Sequence, residues 1–390
     1  MHVIIPKNLL AEQIALLERV IPSRSSNPLL TYLGLSAAPQ EGAGSGALVL
    51  FGSNGEVDLE VRLPAQVSGE GRYLVPSQPF FSLVRSLPGE AVELALGGES
   101  PGAQGTPQLS LSSGRFTTRL SAAPTEGYPD LLFPDPGGPG GDGVFPYRVL
   151  LPVEELLKVL AHVRYAASNE EYRAIFRGVQ LEFSERGLRA VASDGYRLAL
   201  FDLERPQPFV RKAVVPARSV DEVVRVLRSA GTGEAGLALG PGVLALEVGQ
   251  GGEGALRMAV RLMEGEFPDY ERVIPREFPS RVALEVEPFR EALRRVSVLA
   301  DRQNHRVDLL FGEGRALLSA EGDYGRGQEE VPVGLEGTPM GLAYNARYLL
   351  EALGPLTGSA ELLLSGPKSP SLIRPLGGGG YQAVVVPLRV

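Results

Sequence analysis

The sequence predicts an α+β fold built from three copies of one module, in which two helices are set among antiparallel strands. Two observations lead to this prediction. An apolar helical stripe recurs 140 and then a further 126 positions along the 390-residue chain, and tight-turn signals between alternating apolar runs recur in the same register. Solenoid units are far shorter than these intervals, so the pattern indicates a triplicated domain.

The clearest repeated element is the second helix of each copy. Its four apolar residues follow the i, i+3, i+4, i+7 spacing of a single helix face, and a turn containing glycine or proline ends it. The three stripes are Phe80, Leu83, Val84 and Leu87; Val220, Val223, Val224 and Leu227; and Ala346, Leu349, Leu350 and Leu353.

The first helix of each copy recurs in the same way. Residues 1–6 (MHVIIP) predict a short strand directly before the first of these helices. The matching stripes are Leu10, Ile14 and Leu17; Val153, Leu156, Leu157 and Leu160; and Phe289, Ala292, Leu293 and Val296.

Tight hairpin turns are predicted at equivalent places in the three copies. Ser53-Asn54-Gly55 recurs as Ser193-Asp194-Gly195, and Ala320-Glu321-Gly322 is a looser match in the third copy. Asn-Gly and Asp-Gly tolerate the positive φ that such turns require, so each place predicts a β-hairpin. The glycine-rich stretches 249–254 and 377–380 are likewise predicted to be hairpin turns.

The repeat predicts three domains, at 1–122, 144–268 and 279–390. The first two copies end in similar segments, which share Glu-Gly, an aromatic residue and then Pro-Asp. Residues 134–143 (PDPGGPGGDG) are too rich in glycine and proline to form a helix, so they are predicted to be a linker.

Composition narrows the class of protein. Apolar residues make up 44% of the chain, enough for three cores, yet no run approaches the roughly 20 apolar residues of a membrane helix. The N-terminus lacks the features of a signal peptide. The absence of cysteine excludes disulfides and thiolate metal sites and is compatible with the cytosol. We therefore expect a cytoplasmic protein with no membrane partner.

The sequence offers little support for catalysis. The three histidines have no metal-ligand spacing, and neither a Walker loop nor a Gly-x-Ser-x-Gly turn is present. Gly249, Gly251 and Gly254 fit G-x-G-x-x-G, but residues 255–263 predict a strand where a dinucleotide site needs a helix. A Ser/His/Asp triad stays open on sequence alone. The pattern favours a scaffold or binding ring with no catalytic residue, cofactor or metal.

The formal net charge of −8 argues superficially against a nucleic-acid partner. However, arginines lie on the polar sides of the predicted helices, among them Arg85, Arg225 and Arg294, while acidic residues lie more in predicted loops and strands. This distribution is compatible with phosphate binding on the helix side. Ordinary solvated faces explain it equally well.

Three segments together resemble the bacterial DNA polymerase III sliding clamp (β subunit) family. They are residues 192–199 (ASDGYRLA), 267–275 (FPDYERVIP) and 384–390 (VVVPLRV). The similarity covers the whole chain and agrees with the independently detected triple repeat.

The resemblance implies a head-to-tail homodimer that closes into a ring of six like domains, with helices lining the hole and sheets forming the outer wall. Such a ring encircles duplex DNA and needs only phosphate contacts, without base readout. Its implied protein partners are the DNA polymerase III catalytic subunit, the clamp loader and other proteins with a clamp-binding motif.

The resemblance also implies a partner-peptide groove between the second and third domains, suited to an extended peptide with Leu and Phe anchors. Val386 and Leu388 stand where relatives often have Met, which makes the pocket stiffer, and residues 367–371 (PKSPS) carry extra proline. The implied groove residues are Phe176, Ser193, Gly195, Arg197, Leu198, Pro268, Arg272, Val273, Val384, Val386, Pro387, Leu388 and Arg389.

Contacts in the ring follow in the same way. Phe116 in the first copy, with Val298 and Leu299 in the third, match apolar positions of the subunit interface. Arg24 matches a loop arginine of the family that contacts DNA. The helix arginines Arg85, Arg225 and Arg294 are expected to face the DNA with it.

Two other classes of function stay open. One is a monomeric hydrolase or nucleotide-binding enzyme, which the missing motifs argue against. The other is a repeat scaffold that binds no DNA. A solution mass of two chains would favour the ring over a monomeric enzyme.

Overall fold

The computed structural model describes residues 1–40, 45–96, 107–133, 145–249 and 255–389. The predicted linker at 134–143, residue 144 at the start of the second predicted domain, and residues 250–254 of one predicted turn lie outside these ranges. The chain forms two compact units. One contains Met1–Leu157 and Asp221–Leu262, and the other contains Lys158–Val220 with Met263 and the residues after it.

Each copy has the predicted order of one strand, a helix, several strands, a second helix and several strands, which confirms the α+β class. Copy one contains β1 (His2–Pro6), α1 (Lys7–Val20), β2 (Tyr32–Pro39), β3 (Ser45–Ser53), β4 (Val57–Ser68), β5 (Gly71–Pro76), α2 (Ser77–Ser86), β6 (Ala91–Leu96), β7 (Gln108–Ser113) and β8 (Phe116–Ser121). Copy two contains β9 (Tyr147–Pro152), α3 (Val153–Val163), β10 (Gly178–Ser184), β11 (Gly187–Ser193), β12 (Arg197–Leu203), β13 (Arg211–Pro216), α4 (Ala217–Ala230), β14 (Glu234–Gly240), β15 (Val243–Val248) and β16 (Leu256–Arg261). Copy three contains β17 (Ser280–Glu285), α5 (Val286–Ser297), β18 (Arg306–Gly312), β19 (Arg315–Gly322), β20 (Gly325–Pro332), β21 (Gly334–Gly337), β22 (Met340–Asn345), α6 (Ala346–Leu353), β23 (Ser359–Leu364), β24 (Ser371–Pro375) and β25 (Tyr381–Val385).

All the sheets are antiparallel. The first unit holds one twelve-stranded sheet with a main order of β8-β7-β6-β1-β4-β16-β15-β14-β9, from which β3, β2 and β5 branch at β4. The second unit holds a nine-stranded sheet, β13-β10-β11-β12-β25-β24-β23-β17-β21, and a four-stranded sheet, β20-β19-β18-β22.

Successive copies are joined by the same strand pairing. Strand β4 of copy one pairs with β16, the last strand of copy two, with Val57 opposite Val260. Strand β12 of copy two pairs with β25, the last strand of copy three, with Arg197 opposite Val385. The two remaining members of this series are β20 of copy three and β8 of copy one. Each lies at the end of its sheet.

The chain makes the same crossing after the last strand of each copy. It passes to the strand that precedes the second helix and forms backbone hydrogen bonds there, with N···O distances of 2.7 to 2.9 Å. The three crossings join Ala123 with Leu74, Met263 with Val214, and Leu388 with Ala343. Because the contact recurs at matching positions, it fixes the alignment of the three copies residue by residue.

The predicted helical stripes lie on the buried helix faces. Helix α2 follows β5 directly and buries Phe80, Phe81 and Val84, while Leu83 at the edge of the stripe is only half-buried. Helix α5 buries its whole predicted stripe. No described helix combines the length and apolar character that crossing a membrane requires.

Two of the predicted turns are in place and one is displaced. Gly55 and Gly195 have φ values of +88° and +87°, which confirms the tight turns after β3 and β11. Ala320-Glu321-Gly322, however, lies inside β19, and the turn falls later, at Asp323 and Tyr324. The pairing of β19 with β20 continues as far as Gly322 opposite Gly325, which supplies the positive φ. Residues 377–380 connect β24 to β25, as predicted.

The C-terminal run 381–390 was predicted to be one docked strand, but β25 ends at Val385. The main-chain N–H of Val386 still donates to the Tyr196 carbonyl, next to the last pair of the ladder, but Pro387 has no N–H with which to continue it. The tail is nevertheless held, because the Leu388 N–H reaches β22.

A buried pair of tyrosines links copies two and three inside the second unit. The hydroxyls of Tyr165 and Tyr381 lie 2.6 Å apart, and Tyr381 also donates to the Ala352 carbonyl at 2.7 Å. Burial raises the pKa of both phenols, so both stay protonated.

We expect Tyr381→Phe to destabilise the protein more than Tyr165→Phe. Removing the Tyr381 hydroxyl leaves the buried Tyr165 hydroxyl and the Ala352 carbonyl unpaired, at about 1–3 kcal/mol for each group. Removing the Tyr165 hydroxyl still lets Tyr381 donate, so the loss should be nearer 1 kcal/mol. Denaturant unfolding of both variants measures the difference, and equal losses would show that the pair carries no such asymmetry.

Candidate functional site

The turn between β11 and β12 is fixed by its own side chains. The Ser193 hydroxyl accepts from the Gly195 N–H at 3.1 Å and donates to the Arg197 carbonyl at 2.7 Å. The Asp194 carboxylate accepts the N–H groups of Tyr196 and Arg197 at 2.9 and 3.0 Å. Gly195 occupies the left-handed region, which other residues adopt only with strain. The turn therefore presents Tyr196 in one position.

Arg197 is a buried cross-link between copies two and three. Its side chain is 9% exposed and bonds the carboxylates of Asp194, at 3.1 Å, and Glu351 of α6. It also donates to the Tyr165 carbonyl at 2.8 Å, and its guanidinium lies 4.6 Å from the centroid of the Tyr348 ring. With its donors used in this way, Arg197 positions the surface around it and is not available as a free cation.

Two tyrosines form an aromatic ledge beside this cross-link. Tyr196 is 51% exposed and stacks on Tyr348, with ring centroids 6.5 Å apart and ring planes at 17°. The Arg173 guanidinium lies 4.8 Å from the centre of the Tyr196 ring and donates to its hydroxyl at 3.2 Å. Arg173 also donates to the Asp194 carbonyl, so the ledge and the turn are held together.

An apolar surface continues from copy two into the segment that follows it. Phe176 packs edge-on against Phe267 at 6.3 Å, and Phe267 packs against Tyr270 at 6.4 Å. Pro268 is exposed and Val273 is 50% exposed. These side chains offer an accessible apolar face on which a peptide side chain can be buried.

A closed core lies beneath that face. Leu198 and Val384 are each 2% exposed and stand opposite each other in the pairing of β12 with β25. They share a buried cluster with Val191, Leu200 and Tyr270, among others. Leu198 and Val384 therefore support the surface from below.

The C-terminal tail forms the other side of the candidate site. Val386 is 37% exposed, and its N–H donates to the Tyr196 carbonyl at 3.0 Å. Pro387 is buried, Leu388 is half-buried and Arg389 is exposed. Arg272, which was predicted with this group, is exposed and paired with Asp269 at 2.6 Å.

The predicted groove residues thus divide by accessibility. Phe176, Val273, Val386 and Leu388 present apolar surface, whereas Arg197, Leu198 and Val384 lie inside. Four further residues shape the site and were not predicted: Tyr165, Arg173, Tyr348 and Glu351. Tyr348 and Glu351 lie in residues 343–353 (AYNARYLLEAL), which the sequence shows only as an amphipathic helix. Their contacts come from other parts of the chain.

The four predicted DNA-contacting arginines have different surroundings. Arg24 is exposed and forms no ion pair with any described residue. Arg85 pairs with Glu18, Arg225 with Glu222, and Arg294 lies 3.5 Å from Glu287. These glutamates lie on helices, so acidic and basic side chains are not separated at these three positions. Carboxylates lower the charge that the three helix arginines present to a phosphate.

The predicted interface residues lie at the two open edges. Phe116 begins β8 and is half-buried, and Val298 is 77% exposed just after α5. Leu299 packs beside β20, where a Cβ on Gly327 would come within 2.9 Å of its Cδ1. Arg295 holds the same strand through a bidentate pair with Glu329, at 2.7 and 3.0 Å.

No metal-binding cluster is found in the described part of the chain. His, Asp and Glu side chains there do not form any group of three that suits a metal ion. The surfaces described above instead offer strand edges, an aromatic ledge and apolar patches, which are features of binding.

Family models cover almost the whole chain. Models of the N-terminal, central and C-terminal domains of the DNA polymerase III beta subunit match residues 1–132, 150–269 and 271–389. The chain belongs to this family. It is therefore a processivity factor of DNA polymerase, a sliding clamp, and not an enzyme.

Individual relatives agree along their full lengths. The beta sliding clamp of Caulobacter vibrioides is 30% identical over 401 residues, which cover 100% of both chains. The beta sliding clamp of Synechococcus elongatus is also 30% identical, over 402 residues and 100% of both chains.

Solved structures show the same fold. The DnaN sliding clamp of Pseudomonas aeruginosa, bound to griselimycin, is 26% identical and superposes with a TM-score of 0.87 over 100% of both chains. The DNA polymerase III beta subunit of Thermotoga maritima is 26% identical, with a TM-score of 0.84 over 100% of this chain and 99% of its own.

Proposed function

We propose that two copies of this clamp close head to tail through β8 of one chain and β20 of the other. The ring would hold duplex DNA inside, and the surface around the β11–β12 turn would bind partner peptides. The chain would act in the cytoplasm as three domains, at 1–122, 144–268 and 279–390. The proposal rests on one repeated strand pairing. Strand β4 pairs with β16 and β12 pairs with β25, while the equivalent strands β20 and β8 each lie at the edge of a sheet.

The two open edges suit each other chemically. The exposed residues of β8 are polar, and its two apolar residues, Phe116 and Leu120, are half-buried. Strand β20 carries Glu329 and Glu330. An antiparallel pair formed between them would satisfy the unpaired backbone groups on both strands. Phe116, Val298 and Leu299 would supply the apolar contact beside that ladder.

Ring closure should fail when the apolar contact is removed. We expect Phe116→Ala combined with Leu299→Ala to yield a folded monomer, since each large side chain lost from a buried contact costs about 2–5 kcal/mol. Analytical ultracentrifugation measures the mass, and circular dichroism confirms folding. Leu376→Ala, which changes a leucine that is 51% exposed elsewhere in the second unit, is the matched control. A double variant that remains dimeric below micromolar concentration would reject this interface.

The structure also supports a groove at one junction of copies only. In copy one, Glu56 stands where copy two has Tyr196, and Arg261 stands where the tail has Val386. The Arg261 N–H donates to the Glu56 carbonyl at 2.9 Å, and its Nε donates to the Gly55 carbonyl at 2.7 Å. A charged side chain therefore covers the turn of copy one, whereas Val386 leaves an apolar wall beside Tyr196.

Two relatives have been solved with a ligand bound. The Pseudomonas aeruginosa clamp was solved with griselimycin bound, and the Caulobacter crescentus clamp with polyethylene glycol bound to a region proposed to tether β-motifs. In this chain we assign the peptide's Leu and Phe anchors to Phe176, Pro268, Val273, Val386 and Leu388. The polymerase catalytic subunit, the clamp loader and other motif-bearing proteins would compete for it.

Peptide binding should depend on the tail, and dimer formation should not. Deleting residues from Val386 onward removes one wall of the groove and two backbone hydrogen bonds. Binding of a peptide with Leu and Phe anchors should therefore become too weak to measure. The dimer mass and melting temperature should change little. Fluorescence anisotropy measures binding, and Val386→Asp, which keeps the backbone intact, should show the same loss. Unchanged affinity in both variants would place the groove elsewhere.

DNA should be retained by topology more than by affinity. Three of the four arginines are paired with carboxylates, so each phosphate contact is weak and salt-sensitive. A clamp loaded on nicked circular DNA should therefore persist at salt concentrations that remove ordinary phosphate-bound proteins, and it should leave linear DNA quickly. Gel filtration of labelled clamp on both substrates measures the lifetimes. Equal lifetimes on circular and linear DNA would contradict encirclement.

A further inference from the structure

In copy two, the segment that leaves the copy lies over that copy's own sheet. After the crossing at Met263, Phe267 packs on Phe176, and Tyr270 reaches strands β10 and β11. The Tyr270 hydroxyl donates to Glu182 at 3.0 Å and accepts from Arg189 at 3.3 Å. Burial raises the pKa of Tyr270 to about 12, so the hydroxyl keeps the proton that it donates.

Copy one is covered in the same way. Tyr128 packs edge-on against Phe51 of β3, with ring centroids 5.6 Å apart. The Leu132 N–H donates to the buried Asp58 carboxylate of β4 at 2.9 Å. Both segments carry an aromatic residue before Pro-Asp and cover one face of the sheet beneath them, and the copy-two segment forms a short 3-10 helix at Tyr270–Val273.

The matching face of copy three is open. The crossings align Val214, which pairs with Gln180, to Ala343, which pairs with Asp308. Two residues further along, Glu182 and Arg189 of copy two therefore correspond to Leu310 and Leu317, which also stand opposite each other.

The positions of the polar pair Glu182 and Arg189 in copy two are thus occupied by two leucines in copy three, and one of these leucines is accessible. Leu310 is 54% exposed, in contrast to the covered positions of copies one and two. The face contains a cleft of about 400 Å³, whose lining includes Arg306, Asp308, Leu310, Leu317, Ala343 and Leu388.

We propose that this face of sheet β20-β19-β18-β22 is a second docking surface for proteins bound in the groove, and the inference rests on that proposed groove. It would take an extended segment that flanks the groove motif, with a Leu or aromatic anchor on Leu310 and Leu317. Leu388 lines both the cleft and the proposed groove, so a single peptide would reach both sites. The chain's own exit segments show that the matching sheet faces of copies one and two are covered by a stretch of polypeptide.

The charge and the backbone edge specify the occupant further. Lys368 borders the cleft, is exposed and makes no ion pair with a described residue, whereas Arg306 is already paired with Asp308 at 2.7 Å. An acidic side chain beside the apolar anchor is therefore favoured. On the outer edge of β22 the Ala343 carbonyl already accepts from Leu388, but Gly341 is exposed, so that end of the strand can also form main-chain hydrogen bonds with a peptide.

The test compares three synthetic peptides by fluorescence anisotropy with the full dimeric clamp. One carries only the Leu and Phe anchors of the groove, and the other two add six residues, with two Leu and one Asp, before or after it. The second surface lies on one side of the groove, so only one of the two extended peptides should reach it. That peptide should bind about tenfold more tightly than the short one. Leu310→Glu and Leu317→Glu should each erase that gain and leave the affinity of the short peptide unchanged. Leu376→Glu is the matched control and should alter neither.

The outcomes separate the two proposals. If the short peptide binds but neither extension increases affinity, or the gain survives in both glutamate variants, the second surface is rejected and the groove stands. If the short peptide fails to bind wild-type clamp while an extended one binds and is lost in Leu310→Glu, the groove is rejected and the face stands. In amide hydrogen exchange, the extended peptide should protect β18 and β22 in addition to the groove residues that the short peptide protects. Additional protection at any other strands would overturn the assignment.

Discussion

The structure depends on the need to pair the open edge of a β-strand. The last strands of copies two and three find partners for their backbone donors and acceptors on the copy before, through β16 with β4 and β25 with β12. This one pairing makes continuous sheets out of separate modules and places the last strand of one copy beside the second hairpin of the copy before it. The candidate groove exists because of that placement, since the tail and the turn at Tyr196 meet only where β25 joins β12.

The buried ionic network at Arg197 acts at the same junction. A guanidinium with little exposure is tolerable only because two carboxylates, a carbonyl and an aromatic ring surround it. Removal of one partner would leave a charge in a poorly solvated place, so the network specifies one geometry of the junction. The accessible apolar residues around it can then be few and still be well positioned.

Much of the fold could be predicted from the sequence because its signals are local. Helical stripes such as Phe80 and Val84, and the turn at Gly195, depend on spacing and on backbone conformation. The displaced turn after β19 shows the limit, because strand pairing moved it to Asp323. The cluster of Tyr165, Tyr348 and Glu351 around Arg197 could not be predicted, since all three residues lie far from Arg197 in sequence and have an ordinary role in their own helix or turn. The pairing of Arg85 with Glu18 was missed for the same reason, whereas Glu222 and Arg225 are three residues apart on one helix, a spacing from which their pairing could have been predicted.

Strand β20 differs from its counterparts β4 and β12 in its side chains, and this difference affects the relative stability of the junctions that the three strands form. It begins Gly-Arg-Gly and presents mostly polar side chains, whereas β12 contributes Leu198, Leu200 and Phe201 to buried surface. Glycine strands lose more chain entropy on ordering and bring no side chain to the contact. The copies within one chain are thus joined by strands with buried apolar side chains. Strand β20, the edge available to another molecule, offers the smallest apolar contact of the three. In the ring proposed above, the junction between chains would therefore be the weakest of the three kinds, and DNA would enter there while each chain stays folded.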